Sequence, residues 1–484
     1  MNEKTAPKGR GRKDTVCNPG TLEFQRVGRR RFVVDNNAGP VSSDGGLPLL
    51  HELEQRMGLL RRFAECFTDH RAASRVEHSV FDLLAQRIYG LVCGYEDLND
   101  HDTLRHDPLL AACVGKADPT GTARSRERDR RCALAGRHTL MRLEHGCEEL
   151  GENARYAKIT HSRAAIENYF IDAYIRQQEK APPFIILDID ATDDPLHGKQ
   201  EGRYFHGYYG HYCYMPLYIF CGDHLLAAKL QTADVDPATG AIEQLARIVT
   251  RIRERWPSTE ILVRGDSGFA REYLMTWCEE QGLFYLLGLA RNSRLQERLK
   301  DDMAAARADF ERTGTPARRF RDFRYRTLNS WTHDRRVVGK AEYISEKENP
   351  RFVVTNLPKS KFPAKELYER FYCARGDMEN RIKEQQLGLF ADRLSARTLH
   401  NNQLRLWFSA VAYVLLSALR RHGLKDTPLK SAQAWTIRNR VLKIGARVRT
   451  SVRRVLVSLS SAYPFYGLFA RILDNLRTSP PAFV

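Results

Sequence analysis

Acidic residues are nearly missing from both ends of this chain. Between Met1 and Arg31 nine lysines and arginines face three acids, and between Trp435 and Val484 nine more face only Asp474. Solvated protein faces mix signs, so segments of one sign point to phosphate contact. The net charge of +18 extends that preference to the whole molecule, and nucleic acid is the expected partner. Paired cysteines are missing as well. Ten cysteines occur singly, from Cys17 to Cys373, with no C-x-x-C. That excludes a zinc knuckle and a disulfide framework and suits a reducing cytosol, so a cytoplasmic, nucleoid-associated protein is expected. The N-terminus has no apolar stretch of the secretory kind. The longest apolar run, Leu406 to Leu419, falls short of the ~20 residues a membrane span needs and reads as a buried helix, so no membrane is expected as a partner. Internal repeats are absent too, which excludes solenoids.

What is present supports real cores. A chain of 484 residues, 42 % hydrophobic and 10 % aromatic, is expected to divide into two to four units. Residues 1–45 are polar, basic and punctuated by glycine and proline, and read as a flexible basic arm ending at Gly45-Gly46. Residues 46–180 read as an all-helical DNA-binding region. Leu49, Leu50, Leu53, Met57, Leu60 and Phe63 share one helical face, further stretches cover Phe81 to Leu91 and Leu104 to Val114, and Ser125 to Leu143 is strongly charged. Texture changes at Ala181. Strands are expected at Phe184 to Asp190, across the alternating aromatic stretch Tyr204 to Cys221, and at His224 to Gln231, Glu260 to Arg264 and Leu283 to Leu289. Helices fall between the later ones, so 181–290 is a mixed α/β layer. Residues 291–364 read as a β insertion, 365–422 as two helices returning to the core, and 423–484 as a basic C-terminal region.

Three acidic positions stand out. Asp188 and Asp190 alternate on a strand and so share a face. Two carboxylates on an otherwise apolar strand are costly without a cation, a proton or a strong donor between them. Asp266 follows a buried strand in Arg264-Gly-Asp266-Ser-Gly268, where glycines admit close approach of backbone or ligand, although turn-forming aspartates are common at such places. Tyr372, Arg375, Glu379, Lys383 and Gln386 are spaced by three or four and make one helical stripe, in which Arg375 pairs with Glu379 one turn on.

The segments Asp188-Ile-Asp190-Ala-Thr192, Arg264-Gly-Asp266-Ser-Gly-Phe269 and Tyr372-Cys-Ala-Arg375-Gly-Asp-Met-Glu379-Asn-Arg-Ile-Lys383, in this order, resemble the DDE transposases of bacterial insertion sequences that carry a Y-x-x-R-x-x-x-E signature. The resemblance runs from about Gly45 to the C-terminus. It implies an RNase H-like α/β core interrupted by a β insertion. It also implies a metal-binding triad of Asp190, Asp266 and Glu379, two Mg²⁺ ions with Mn²⁺ as substitute, and nicking at the terminal inverted repeats followed by strand transfer into target DNA by a dimer. Tyr372, Arg375, Arg264 and Lys383 are expected on DNA phosphates. Lys383 replaces a lysine that some relatives carry seven residues after the glutamate, where Gln386 stands here. Trp331 is expected in the insertion either to stack on a flipped base or to pack between strands. Two rival readings remain. One is a haloacid-dehalogenase-like phosphatase with Asp188 as nucleophile and Asp190 as general acid, although Ala270 stands where that family has a further acid. The other is a non-catalytic DNA-binding protein derived from a transposase.

Overall fold

A computed structural model describes residues 21–151 and 157–479 of the chain. At its centre is a nine-stranded mixed sheet flanked by helices. Its strands are β1 (Phe184–Ala191), β2 (Leu217–Cys221), β3 (His224–Lys229), β4 (Glu260–Gly265), β5 (Phe284–Leu289), β6 (Ala317–Tyr325), β7 (Arg335–Ile344) and β8 (Arg351–Thr355), with the short Lys347–Glu348 beside β7. They lie in the order β3-β2-β1-β4-β5-β8-β7-β6. β2 runs antiparallel to β1 and β3, whereas β1, β4 and β5 are mutually parallel. Alternation along β1 sorts its side chains. Ile185, Leu187 and Ile189 enter one core together with Leu245, Ile248, Val249 and Ile252 of the helix Ala241–Arg255, while Phe184 and Ile186 face a second core containing Leu367 and Tyr368. Asp188 and Asp190 therefore point toward the segment that carries Tyr372 and Glu379.

The stretch 291–364 differs from the expected β insertion. It opens with a helix of 21 residues, Ser293–Thr313, and its strands do not form a separate unit. β8 hydrogen-bonds directly to β5, so β6, β7 and β8 prolong the central sheet. The register aligns Leu286 with Thr355 and Leu289 with Phe352, and the apolar run in β8 is buried on both faces. An edge so covered has no exposed backbone groups to manage.

The N-terminal part is helical with exceptions. The first apolar face is split into two helices, Leu47–Met57 and Leu59–Ala64, by Gly58 in the left-handed conformation. Val80–Cys93 begins with a capping box between Ser79 and Asp82. Pro108–Val114 and Arg137–Glu144 are helical, but between them the chain turns, because Asp118 accepts hydrogen bonds from Thr120 and Ala123 and no apolar stripe competes. A two-stranded ribbon, Phe67–Asp69 with Ile159–His161, also interrupts the helices. The apolar run read as a buried helix falls in Leu399–Ala418 and the π-helical turn Leu419–Gly423 that continues it, and is buried throughout.

Of the expected flexible arm, residues 1–20 lie outside the described residues. The remainder is structured: Leu22–Val27 pairs with Arg30–Val34 as a hairpin. Gly45-Gly46 is no linker. Its amides donate to Ile444 and Leu442, and a Cβ at either glycine would strike the backbone there. The C-terminal region thus closes on the start of the helical part, and Ala446–Ser451 pairs with Val41–Ser42.

The basic C-terminal region also divides. Arg438 is an internal strut that donates to the carbonyls of Val92 and Gly388. Lys443 pairs with Asp44, and among the described residues no other side chain of 438–454 has an ion pair. In the hairpin Ala446–Ser451/Arg454–Leu459 the register sets Arg447 opposite Ser458, Arg449 opposite Leu456 and Ser451 opposite Arg454. Arg447, Arg449 and Arg454 therefore form one exposed row, away from the buried Ala446 and Val448.

Candidate acidic site

β1 and β4 are adjacent and parallel, with Gly265 opposite Ile189. Their C-terminal ends bring Asp190 and Asp266 side by side from positions far apart in sequence. The third element is the helical segment after Pro363, and it is irregular. Two π-helical turns, Leu367–Tyr372 and Glu384–Gly388, and a 3₁₀ turn, Cys373–Arg375, bracket the α-helical Gly376–Lys383. Such irregular turns re-aim side chains that a straight helix would carry past the strand ends.

The two acids of β1 have different surroundings. Asp188 is buried and accepts a bidentate pair from Arg264, at 2.5 Å (Nε to Oδ1) and 2.8 Å (Nη2 to Oδ2). The register places these residues directly opposite each other. Burial pushes the Asp188 carboxyl above its usual range, against the pull of Arg264. The same guanidinium donates to the carbonyl of Phe371 and, at 3.5 Å, to that of Ala374. Arg264 is therefore not placed to bind DNA as expected. Its donors are spent below the surface, tying β1 and β4 to the helical segment just before Arg375.

Among the described residues Asp190 has no such bidentate partner. Its Oδ1 accepts from the amide of Ala191 at 3.0 Å, and its Oδ2 lies 3.7 Å from Arg375. Burial, then the charge of Asp266, and further the charge of Glu379 push its carboxyl up to about 7 against the pull of Arg375. Asp266 Oδ1 accepts from the amide of Gly268 at 2.8 Å and so caps the turn after β4. Arg375 donates to Glu379 at 2.7 Å, so one guanidinium stands between Asp190 and the otherwise exposed Glu379. Tyr372 reaches toward the Asp266 turn. A Cβ at Gly288 of β5 would lie 2.5 Å from its hydroxyl and 2.8 Å from the Ser267 amide, which is why glycine is required there. Among the described residues no three His, Cys, Asp or Glu side chains are grouped tightly enough to hold a metal ion as they stand.

Lys383 is exposed one turn beyond Glu379. Gln386 turns inward and donates to the carbonyl of Asp193 at 3.1 Å and to Asp194 Oδ1 at 2.6 Å. Asp194 is fully buried, and burial pushes its carboxyl up to about 8. A lysine at position 386 would meet this buried loop rather than solvent. Trp331 is far from a stacking role. Its ring is buried in the core, edge-on to Tyr325 at 5.8 Å and under the Arg335 guanidinium at 5.6 Å. Arg335 is itself held by Glu272 and Glu279. Burial of a large ring within a charged frame makes Trp331 a packing residue.

Sequence reasoning missed the pairing of Asp188 with Arg264 and the seat of Gln386 on Asp194. Neither has a local signal, since the partners are separated by 76 and 192 residues.

Compared with known proteins, residues 24–481 match the family model described as a transposase DDE domain, group 1. Among solved structures, the piggyBac transposase synaptic complex with hairpin DNA aligns over 91 % of this chain and 83 % of that one, at 10 % identity and a TM-score of 0.36. No curated protein matches at a significant level.

Proposed function

The chain belongs to the group 1 DDE-domain transposases, and from that premise we propose that Asp190, Asp266 and Glu379 are its acidic triad and that it nicks and joins DNA at the ends of its element. One observation carries this reading: Arg375 lies 3.7 Å from Asp190 and donates to Glu379 at 2.7 Å, beside the end of the adjacent strand β4 that leads into Asp266, which supports one shared site for three acids distant in sequence. The strand order β3-β2-β1-β4-β5, with acids at the ends of β1 and β4 and on a later helix, supports an RNase H-like core. Among the described residues no three donors form a ready-made metal cluster, yet their chemistry fits a hard divalent cation. They are oxygen donors whose mutual repulsion a cation relieves, and Arg375 already stands between two of them.

Asp190, Asp266 and Glu379 would hold Mg²⁺, expected as two ions with Mn²⁺ as substitute, and bound metal would supply an activated hydroxyl and charge neutralisation at phosphorus. The residues of the chain do the rest. Arg375, on leaving Asp190, faces the scissile phosphate with a planar fork suited to two phosphate oxygens. Lys383 adds a second cation on the same stripe. Tyr372 lies beside the turn that carries Asp266. The buried strut from Asp188 through Arg264 to Phe371 sets the distance between the strand ends and the helical segment. Asp188 is thereby engaged at both oxygens, which argues against its serving as a phosphatase nucleophile.

The test is strand cleavage. Labelled duplex carrying the DNA that flanks the gene is expected to be nicked in Mg²⁺ or Mn²⁺, leaving a 3′-hydroxyl, and to stay intact in chelator. Chelator-resistant cleavage would overturn the reading.

DNA binding is assigned to the helical region 46–180 and the basic C-terminal region, with the exposed row Arg447, Arg449 and Arg454 on the backbone. Replacing all three by alanine is expected to flatten the log–log salt slope of duplex affinity by about 0.9 for each phosphate that is no longer neutralised. An unchanged slope, measured by anisotropy titration, would remove the hairpin from the interface.

A further inference from the structure

Between Glu201 and Asp223 the chain has no acid but is crowded with rings: Arg203-Tyr204-Phe205-His206-Gly207-Tyr208-Tyr209-Gly210-His211-Tyr212. The segment folds as a hairpin, Tyr204–His206 against His211–Tyr214. Its root is fixed beside the acidic site. His211–Tyr214 pairs with Asp194–Pro195, immediately after β1. Tyr209 packs with Cys213 and Met215 against Ala191, the neighbour of Asp190. The His211 ring lies 2.8 Å from Asp193, and Gln386 clamps the same loop.

The tip is a different environment. Tyr208 is 88 % exposed and Phe205 58 %, with Tyr204 and Tyr212 nearly half exposed. The register sets Phe205 opposite Tyr212 on the outward face, their rings 5.6 Å apart, and the Arg203 guanidinium lies 4.5 Å above the Tyr212 ring. Single exposed apolar residues need no explanation, but a cluster of this size marks a binding surface. Rings with a cation, on a hairpin whose own sequence carries no acid and whose nearby Asp193 is paired with His211 at the root, suit a ligand that is flat, aromatic and anionic along its length.

Resting on the acidic site proposed above, we propose that the Tyr204–Tyr212 hairpin is a stacking platform for unpaired bases of the strand cut at Asp190. Trp331, buried in the core, is not available for that role. Stacking needs only a π-face, so the platform tolerates any base. It favours a nucleotide already out of the helix, where no pairing must be broken.

The test uses the full-length protein and two probes with 2-aminopurine at one position, a fully paired duplex and the same duplex with a short unpaired bubble. Phe205→Ala and Tyr208→Ala are each expected to weaken bubble binding roughly 5- to 100-fold and to abolish the quenching of 2-aminopurine, with duplex affinity within about twofold of wild type. Tyr208→Phe is expected to retain both, because the ring and not the hydroxyl stacks. Bubble binding by the alanine variants equal to that of a wild type that still nicks DNA would overturn the platform alone. So would a changed oligomeric state with unchanged DNA affinity, which would assign the hairpin to contact between copies of the chain. A wild type that neither binds nor nicks DNA would overturn the reading of the acidic site on which the platform rests.

Discussion

Asp190→Asn is expected to lower metal-dependent nicking by roughly 100-fold or more, since even outer partners of metal ligands are worth 10- to 100-fold, while the metal-free protein becomes more stable near neutral pH. The two effects have one cause. The Asp190 carboxyl is raised from 3.8 to about 7 by burial, Asp266 and Glu379, so its ionised form is disfavoured in the folded chain. A group whose folded pKa lies above its unfolded value stabilises fully only below the unfolded value, and that contribution is lost as pH rises through the folded one. Wild-type stability contributed by this group therefore falls between pH 4 and 7, by an amount on the order of a few kcal/mol. Asparagine removes the titration and with it the fall. Denaturant melts at pH 5 and pH 8 are expected to show the variant gaining more on wild type at pH 8 than at pH 5, and Mg²⁺ is expected to close the gap by stabilising wild type alone. A variant that nicks normally, or whose stability changes equally at both pH values, would count against Asp190 as a member of the acidic site.

The second large effect is expected at Arg264. Its removal as Arg264→Ala strands the buried Asp188 carboxylate and frees the carbonyls of Phe371 and Ala374. Breaking one partner of a buried pair costs about 3–5 kcal/mol, to be read as a lowered denaturation midpoint. Replacing both members by apolar residues of similar volume, as in Asp188→Leu with Arg264→Met, is expected to recover most of that stability, because the uncompensated charge is gone. Nicking is not expected to recover with it, since the hydrogen bonds from β4 to the carbonyls of Phe371 and Ala374, just before Arg375, are still missing. Had Arg264 faced DNA, alanine would weaken binding and leave stability intact, so the pair of measurements separates the two roles.

Much of the local architecture is legible from periodicity. Phe184 to Asp190 and Glu260 to Arg264 read as buried strands because their apolar runs are short and bounded by proline and glycine. The helix that contains Leu406 to Leu419 reads as buried for lack of a polar face. The Arg375–Glu379 pair follows from helical spacing alone. Each of these rests on interactions within a few residues, which a linear sequence displays directly.

The departures have a common origin in long-range pairing. Arg264 reads as a phosphate ligand, and Trp331 leaves stacking and packing both open, because residue type names a capability, not a location. Strand register commits the first to Asp188, and the Tyr325–Arg335 frame buries the second. Gly45-Gly46 reads as the end of a linker, yet the glycines are there because Leu442 and Ile444, some four hundred residues away, pass too close for a side chain. The stretch 291–364 reads as a β insertion, but β8 hydrogen-bonds to β5 and joins its strands to the central sheet. Local periodicity records which face of an element is apolar, and so the chain alone specified strands, helices and the order of its acids. Which face meets which, which charge is cancelled and which ring stays in water depend on packing between distant segments, where burial free energy outweighs local preference.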